Sequence, residues 1–530
     1  MNRLRWNLLL ALPLAGILAL VSVTPARALT TEALLDTLQH TGFNYFWFEA
    51  NPANGLVKDR STAGSVSSIA ATGFGLSAIC IGIDHGWVTR EQGRARIQTT
   101  LDTFRNGPQG TAASGFIGYQ GWFYHWLDMN TARRTWDSEL STIDTALLLA
   151  GMIDAREYFE LQDPGDSTVR ATVDTIIARI NFNFMRNNDV FIKMGWKPGT
   201  GFATFGNWIG YNEAMILYIL SIGAPANPIP AILWQAWISG YDWRTNYGYT
   251  FIEFPPLFGH QYSHCWIDFR DIQDGYTRGK GIDYFENSRR ATLAQHAYCV
   301  ANPGGWAAYS DTLWGITASD IQGGYLARGA PPAQNDNGTL APTAVGASIA
   351  FAPEIVIPTL HNMYDHWPLL WSQYGFRDAF KPATGWYGPD VLGIDQGPIV
   401  MMIENYRTGK PWQRVMKNTQ VQNGLALAGF LGAVGVEPRS PVASGLALSA
   451  TSPNPLRGTG SVRFRLPAAG EVDLALVDVA GRIVRRVDHG FRRAGEHVVA
   501  IEGSGLERGV YFLQLRWNGE SRSQRVALLD

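Results

Sequence analysis

Between residues 30 and 435 the hydrophobic pattern is helical over most of its length, and strand-like stretches are brief. Segments such as TEALLDTLQHTGFNYFWFE and YNEAMILYILSIG follow one another with short breaks. Every second helix begins after a loop rich in aromatic and acidic residues, with predicted starts near residues 67, 139, 211, 256, 341 and 395. These helices are more uniformly apolar than their partners, and helices that are apolar on all sides are buried. The pattern therefore predicts an all-α (α/α)6 toroid over residues 30–435, whose six inner helices open on one common face.

The pattern changes after Gly435. Residues 436–445, VEPRSPVASG, are typical of a linker, and from residue 446 onward apolar and polar residues alternate with period two. Stretches such as VDLALVDVAGRIVRRV and GVYFLQLRW are separated by glycine-containing turns. Residues 446–530 are therefore predicted to form a second domain, a small all-β immunoglobulin-like sandwich.

The N-terminus predicts export. Arg3 and Arg5 precede an apolar run from Leu8 to Val23. The sequence Ala-Arg-Ala at 26–28 then fits a signal-peptidase site, so residues 1–28 are interpreted as a signal peptide. The run is short for a membrane span and nothing similar recurs, so we expect no span in the mature chain. An extracellular, cell-surface or periplasmic location follows.

The amino-acid composition limits the classes of partner that the protein is expected to bind. The formal net charge is −2 and Lys and Arg form no stripe, which argues against nucleic acid or an anionic membrane as partner. Three cysteines without C-x-x-C spacing predict buried free thiols more readily than a disulfide, and they do not indicate zinc. His260 and His264 have the i, i+4 spacing of metal ligands but lack the H-E-x-x-H glutamate, so neither metal nor cofactor is expected.

Aromatic residues indicate a neutral ligand. The chain has 19 Trp, 20 Tyr and 25 Phe, and many lie in glycine-rich loops such as GYQGWFYHWLDM rather than at helical spacing. Burial in a core is the usual place of such residues. Aromatic rings on loops beside polar side chains would instead offer flat surfaces on which sugar rings stack, so the sequence predicts an oligo- or polysaccharide substrate.

Several blocks carry a family resemblance: RTWDSELSTIDTALLLAG, WIGYNEAMILYIL, LFGHQYSHCWIDFRD and DQGPIVMMIENYRTG. In this order they resemble the bacterial glucoamylase-like family that includes the endo-β-1,2-glucanases of glycoside hydrolase family 144. The resemblance implies an (α/α)6 barrel with a carbohydrate cleft and a secreted, anomer-inverting hydrolase, with β-1,2-glucan as the first choice of substrate. A glucoamylase-like α-glucosidase and a non-catalytic polysaccharide-binding protein stay open as alternatives.

The tail resembles a different group of proteins. SPNP, VDLALVDVAGRIV and LERGVYFLQL follow one another there. They are similar to the C-terminal sorting domains of bacterial secretion systems. This resemblance implies that the secretion machinery is a partner of residues 446–530.

Glu213 is the candidate general acid. It is expected in the first turn of a helix, after a possible Asn212 cap, where the helix dipole favours the charged carboxylate. Trp208 and Tyr211 on the preceding loop would desolvate the carboxyl, raise its pKa and keep it protonated, as a general acid requires. The resemblance implies the same role, because the catalytic acid of the β-1,2-glucanases aligns with this residue.

More than one acid is a candidate for the general base. Asp137 and Glu139 precede another inner helix; either could serve as base or bind sugar hydroxyls, although Asp137 or Ser138 could simply cap the helix. Asp395 begins the last inner helix, where it is either an N-cap or a cleft residue. The residues predicted to contact substrate are Trp136, Asp144, Trp208, Tyr211, His260, Trp314 and Trp386.

Overall fold

The computed structural model describes residues 29–431, 446–449, 454–467, 470–479, 481–492 and 495–529. The predicted signal peptide (1–28) and linker (436–445) lie outside these ranges. Two separate hydrophobic cores are present, one formed by residues between Leu34 and Phe430 and one by residues between Leu446 and Leu528.

Helices in residues 29–431 form two concentric layers. The inner helices are α2 (Ile69–Asp84), α4 (Thr142–Tyr158), α6 (Met215–Ile222), α8 (Tyr262–Trp266), α11 (Pro342–Gly346) and α13 (Gly393–Arg407). The outer helices are α1 (Thr31–Phe48), α3 (Arg90–Asn106), α5 (Pro164–Arg179), α7 (Ile232–Ile238), α10 (Tyr284–Ala301) and α12 (Pro353–His366). Three further helices are α9 (Gly275–Lys280), α14 (Lys410–Val415) and α15 (Thr419–Leu427). The six inner helices begin within about six residues of the predicted starts, which confirms the (α/α)6 architecture.

The inner helices close into a ring. Helix α2 packs between α4 and α13, and α4 also packs on α6. A Cβ added to Gly151 of α4 would lie 2.0 Å from the carbonyl oxygen of Gly73 in α2, so only glycine permits this close approach. Hydrogen bonds near the helix starts join further neighbours: the N–H of Ile216 in α6 donates to Ser263 Oγ of α8 at 3.1 Å, and Thr343 Oγ1 of α11 donates to the carbonyl of Asp395 in α13 at 3.2 Å.

Short antiparallel ladders shape the loops that precede the inner helices. The pairs are β1 (Ser67–Ser68) with β4 (Trp126–Leu127), β2 (Gly118–Tyr119) with β3 (Trp122–Phe123), β5 (Leu140–Ser141) with β6 (Gly195–Trp196), β7 (Trp243–Asn246) with β8 (Tyr249–Ile252), β9 (Ser319–Ile321) with β10 (Gly324–Leu326), β11 (Trp371–Ser372) with β12 (Gly375–Phe376), and β13 (Phe380–Lys381) with β14 (Trp386–Tyr387). Ser68 and Ser141 then cap α2 and α4, each accepting a backbone N–H through its hydroxyl.

The C-terminal region is all β, as predicted. One sheet has the order β15 (Ala447–Leu448), β17 (Thr459–Leu466), β20 (Gly495–Glu502), and the other β16 (Leu456–Arg457), β22 (Glu520–Leu529), β21 (Gly509–Trp517), β18 (Gly470–Val477), β19 (Ile483–Arg492). Phe464 of the first sheet shares one core with Leu474, Leu513 and Val526 of the second. That the C-terminal region is an immunoglobulin-like sandwich stays a prediction.

Cys80, Cys265 and Cys299 are buried and unpaired, which confirms the prediction of free thiols. Across the ranges that the structure describes, no helix is both long and apolar enough to cross a membrane.

Candidate active site

Three of the predicted carboxyl groups lie where inner helices begin. Glu139 directly precedes β5, which leads into α4; Glu213 lies two residues before α6; Asp395 is the third residue of α13. The starts of neighbouring inner helices contact one another through the hydrogen bonds described above. The three carboxyl groups are therefore brought to the same face of the barrel.

Glu213 occupies a half-buried position just outside its helix. Helix α6 begins at Met215, so the expectation that Glu213 lies in the first helical turn is wrong. Asn212 accepts the N–H of Ala214 through its side chain at 3.0 Å and forms a local turn rather than the helix cap. Burial raises the pKa of Glu213 to about 7, and the charge of nearby Asp144 adds to the effect, while the residue's own N–H opposes it. The carboxyl group thus holds its proton up to neutral pH.

A histidine joins the acids at the start of α4. His125 Nδ1 lies 2.9 Å from Glu139 Oε1, and its Nε2 lies 3.5 Å from Asp144 Oδ2. Although burial opposes the charged ring, the two carboxylates prevail and raise the pKa of His125. In return, His125 outweighs the burial of Glu139 and lowers the pKa of that carboxyl. Ser141 holds Asp144 from the other side with a 2.5 Å hydrogen bond. Glu139 is therefore ionised at a pH at which Glu213 keeps its proton.

Trp136 and Asp137 lie at the surface of the rim. The Asp137 side chain is 81% exposed and pairs with Arg134 and Lys197 at 2.8 Å each, which lowers its pKa. Neither Asp137 nor Ser138 caps α4, since that role falls to Ser141. Trp136 is 68% exposed and has a backbone φ of 53°, in the left-handed region that non-glycine residues rarely adopt. Its ring meets the edge of Trp126, which stacks on His125 at 3.8 Å.

Asp395 forms a buried acid pair with Asp378. It lies in the first turn of α13, whose N-cap is Leu392, so the N-cap interpretation of Asp395 is wrong. Burial raises the pKa of both carboxyl groups, to about 7 for Asp378, and the two acids repel each other when both are charged. The pair therefore shares a proton near neutral pH. Oδ2 of Asp395 and Oδ1 of Asp378 are both buried and have no other hydrogen-bond partner, so contact between the two acids depends on the shared proton.

Arg60 supplies the positive charge beside this pair. Its guanidinium group lies 3.2 Å from Asp320, 3.3 Å from Asp59 and 3.5 Å from Asp390. The N–H of Asp320 donates to Oδ2 of Asp378 at 2.6 Å. One cation thus organises three acids from separate loops around the Asp378–Asp395 pair.

Glu213 and the Asp378–Asp395 pair lie in the same region of the barrel. Burial and the charges of Asp395, Tyr325 and Glu213 raise the pKa of Tyr262, so both carboxyl groups act on the same hydroxyl group. Asp59 and His125 also act on each other: the charge of His125 lowers the pKa of Asp59, and the charge of Asp59 raises the pKa of His125. Glu213 and Asp395 therefore lie in the same region of the barrel, where Tyr262 is buried.

Most of the aromatic residues predicted to contact substrate are buried. Trp208 is buried and donates through Nε1 to Thr142 Oγ1 at 2.9 Å. The ring of buried Tyr211 lies 4.7 Å from that of His260, which is also fully buried, and burial lowers the pKa of His260 to about 3. Trp314 is fully buried against His296. The structure brings these four residues into the wall rather than to the cleft surface.

Trp386 differs from them because it is half-buried in β14, opposite Lys381 of β13. Of the other predicted contacts, Trp136 is 68% exposed, whereas Asp144 is buried beside His125.

Several residues of the site escaped prediction. His125, Asp378 and Asp320 lie within the segments GYQGWFYHWLDM, YGFRDAF and WGITASD, but nothing in their spacing shows that they converge with Glu213 or Asp395. Within the described ranges, no group of three or more His, Cys, Asp or Glu side chains is arranged to hold a metal ion.

Comparison with known protein families supports the resemblance. Residues 206–419 match the family described as "Putative glucoamylase", and residues 452–528 match the secretion system C-terminal sorting domain.

Solved structures agree with this assignment. A "putative glucoamylase" from Bacteroides uniformis is 33% identical, with a TM-score of 0.72, covering 77% of this chain and 100% of that chain. An endo-β-1,2-glucanase from Chitinophaga pinensis, in complex with sophorotriose and glucose, is 28% identical, with a TM-score of 0.70, covering 76% of this chain and 99% of that chain.

One sequence relative has a named activity of a related kind. It is the exo β-1,2-glucooligosaccharide sophorohydrolase (non-reducing end) of Parabacteroides distasonis, 30% identical over 431 residues, or 75% of this chain. This chain spans 58% of the length of that protein.

Proposed function

Because the chain belongs to the glucoamylase-like family of glycoside hydrolases, we propose that it hydrolyses a β-glucan, with β-1,2-glucan as the substrate. The observation that carries this proposal is the half-buried carboxyl of Glu213, whose pKa of about 7 fits a proton donor at neutral pH. The linkage is supported by the relatives with named activities, since both act on β-1,2-linked glucose.

Glu213 is assigned the role of general acid. It would give its proton to the glycosidic oxygen as the bond to the leaving sugar breaks. Inverting hydrolysis needs a second carboxylate across the cleft, roughly 6.5–9.5 Å away, to activate the attacking water. Asp395 fits this role because it lies in the first turn of an inner helix, as Glu213 lies just before another, and because the charges of both acids raise the pKa of Tyr262.

The acid pair suits Asp395 to this task. The hydrogen bond between the two acids lowers the pKa of Asp378 and raises that of Asp395, so the shared proton lies on Asp395, and Asp395 acts as the base once the pair has lost that proton. A carboxylate with a raised pKa is a stronger base than an ordinary one. Glu139 is the other ionised candidate, but its charge is already engaged by His125, which weakens it as a base. We assign Glu139, His125 and Asp144 to holding the local charge next to Glu213.

Trp136 is assigned a sugar-contacting role at the rim. Its exposed ring and its left-handed backbone set it apart from the buried tryptophans of the wall. Backbone strain of this kind costs about 1–3 kcal/mol and is often kept where a side chain must be presented to a ligand. Asp137 beside it, neutralised by Arg134 and Lys197, would contact sugar hydroxyls rather than transfer protons.

Substrate choice is tested by incubating the full-length protein with linear β-1,2-glucan and, separately, with soluble starch. Short β-1,2-linked products, first appearing as the α-anomer by NMR, would support the substrate and the inverting mechanism. Cleavage of starch alone would move the substrate to the α-glucosidase alternative. Binding of β-1,2-glucan without any product would instead support the non-catalytic alternative.

Export is proposed from both ends of the chain. Residues 1–28 would direct translocation and be removed, and residues 446–530, as an immunoglobulin-like sandwich, would deliver the protein to a secretion system and thus outside the cell. The test compares the location of the full chain with that of a chain ending at residue 435, in a bacterium that has such a system. Retention of only the shortened chain inside the cell would support the proposal, whereas equal export of both would contradict it.

A further inference from the structure

Hairpin β9–β10 projects next to the acid pair. Its turn contains Gly323, and Gly324 begins β10; a Cβ added to either glycine would meet no atom within 4 Å, so the tip extends into open space. Tyr325, the second residue of β10, is 60% exposed. The exposed ring is therefore available to a ligand at this place.

The base of the hairpin is fixed to the acid pair. The N–H of Asp320 donates to Oδ2 of Asp378, and the Asp320 carboxylate pairs with Arg60 at 3.2 Å. Ser319 is held by the buried guanidinium of Arg328 through a 2.5 Å hydrogen bond. The exposed tip is therefore mounted on a rigid base whose place is set by Asp378.

Strand register gives the direction of the tyrosine. Tyr325 and Asp320 are direct partners in the antiparallel pair, and directly opposed residues project to the same face. The Asp320 side chain faces Arg60 and the acids around it, so the Tyr325 side chain lies on that side too. Crowding around the hydroxyl and the charges of Asp395 and Asp378 raise the pKa of Tyr325, in agreement with this placement.

We propose that Tyr325 is a specificity-determining residue that contacts the glucosyl unit bound beside Asp395, with its exposed ring as the wall of that subsite. The inference rests on the proposed function of the cleft. Its ring would pack against a sugar face, while its hydroxyl would be within reach of a sugar hydroxyl near the acid pair. Removing the ring should therefore weaken substrate binding more than it slows bond cleavage, because Tyr325 carries no proton in the reaction.

The test uses the full chain as wild type, Tyr325→Phe and Tyr325→Ala, with kcat and KM measured on linear β-1,2-glucan. Tyr325→Ala is expected to raise KM roughly tenfold with kcat within about threefold of wild type, and Tyr325→Phe to stay within about threefold for both. The matched control is Tyr247→Ala, which removes another exposed tyrosine beside a hairpin glycine, one whose ring lies against Tyr298. Its KM should not change.

Two results would overturn the inference: a KM of Tyr325→Ala within twofold of wild type, or a loss confined to kcat. Its failure can be told apart from failure of the proposed function. If wild type cleaves the glucan and Glu213→Gln does not, the function stands whatever the tyrosine variants do. If wild type releases no product, calorimetric titration of wild type and Tyr325→Ala with the same glucan tests the contact alone, and equal affinities would reject it.

Discussion

The backbone N–H of Asp320 donates to Oδ2 of Asp378 at 2.6 Å, joining loops 58 residues apart in the chain. This bond fixes one oxygen of Asp378 and favours its charged form, whereas burial and the charge of Asp320 raise the pKa. The balance leaves Asp378 titrating near neutrality beside Asp395. Two buried acids held this way can exchange a proton with a reacting water at little cost.

We expect Asp395→Asn to lower kcat on β-1,2-glucan by about 10²–10⁴-fold, because the amide cannot accept a proton from water. Asp378→Asn should cost less, roughly tenfold, and should shift the acidic limb of the pH profile to lower pH. The reason is that removing the Asp378 charge lowers the pKa of Asp395. Rate measurements on both variants between pH 4 and pH 9 check this.

Glu139→Gln is the matched comparison for these acid variants. It leaves Asp395 untouched and removes the partner of His125 Nδ1. If Glu139→Gln abolished hydrolysis while Asp395→Asn kept most of its rate, the base would be Glu139 and the assignment of Asp395 would fail.

The pH dependence of wild type should show a basic limb near pH 7. Glu213 must be protonated to act as the acid, and its pKa is raised to about 7. Above that value kcat/KM should therefore fall about tenfold for each pH unit. A profile that stays level to pH 9 would be incompatible with Glu213 as the proton donor.

The Glu213 carboxyl group should lower the free energy of unfolding at alkaline pH. The folded protein keeps the Glu213 proton up to about pH 7, whereas an unfolded glutamate releases it near pH 4.5. The folded state thus binds more protons between these values, and the free energy of unfolding falls as pH rises through this window. Glu213→Gln should therefore raise the free energy of unfolding by about 1–3 kcal/mol at pH 8 and change it little at pH 4.5. Denaturant titrations at both pH values measure the difference; a loss of stability at pH 8 would argue against a desolvated carboxyl.

Glu404 lies far from the cleft, near the C-terminal end of α13. Its pKa is lowered by the fold, whereas that of Glu213 is raised. Burial would raise its pKa, but hydrogen bonds from His85, Thr408 and Gln39 prevail and lower it to about 2. The stabilisation is present above about pH 4.5 and is lost as pH falls toward 2.

Glu404→Gln should accordingly cost about 1–3 kcal/mol of unfolding free energy at pH 7 while kcat stays within about twofold of wild type. Thermal unfolding and kinetics on the same sample test both statements together. A large loss of kcat in a folded variant would show that Glu404 acts on the site.

The sequence pattern was sufficient to predict the barrel, because the inner helices are apolar over most of their surfaces and begin after recognisable aromatic loops. It also singled out Glu213 and Asp395, since each lies at such a loop. Helix starts were less accurate: Asn212 completes a turn of its own, which delays α6 to Met215.

Side-chain partners across the barrel could not be predicted. His125 reaches Asp144 through the fold, and Asp378 reaches Asp395 between loops, so no local spacing reveals either contact. Likewise, Trp208 and Trp314 resemble Trp136 in the sequence, and only packing shows that they are buried while Trp136 is exposed.

Glu213 is the group that we assign to donate the proton in hydrolysis of a β-glucan. The most direct measurement is kcat/KM of Glu213→Gln against wild type on linear β-1,2-glucan at pH 6, with folding checked by circular dichroism. Glutamine keeps the size of the side chain but has no acidic proton, so we expect a loss of about a thousandfold in a folded protein. Activity within a few-fold of wild type would contradict the account and remove Glu213 from the reaction.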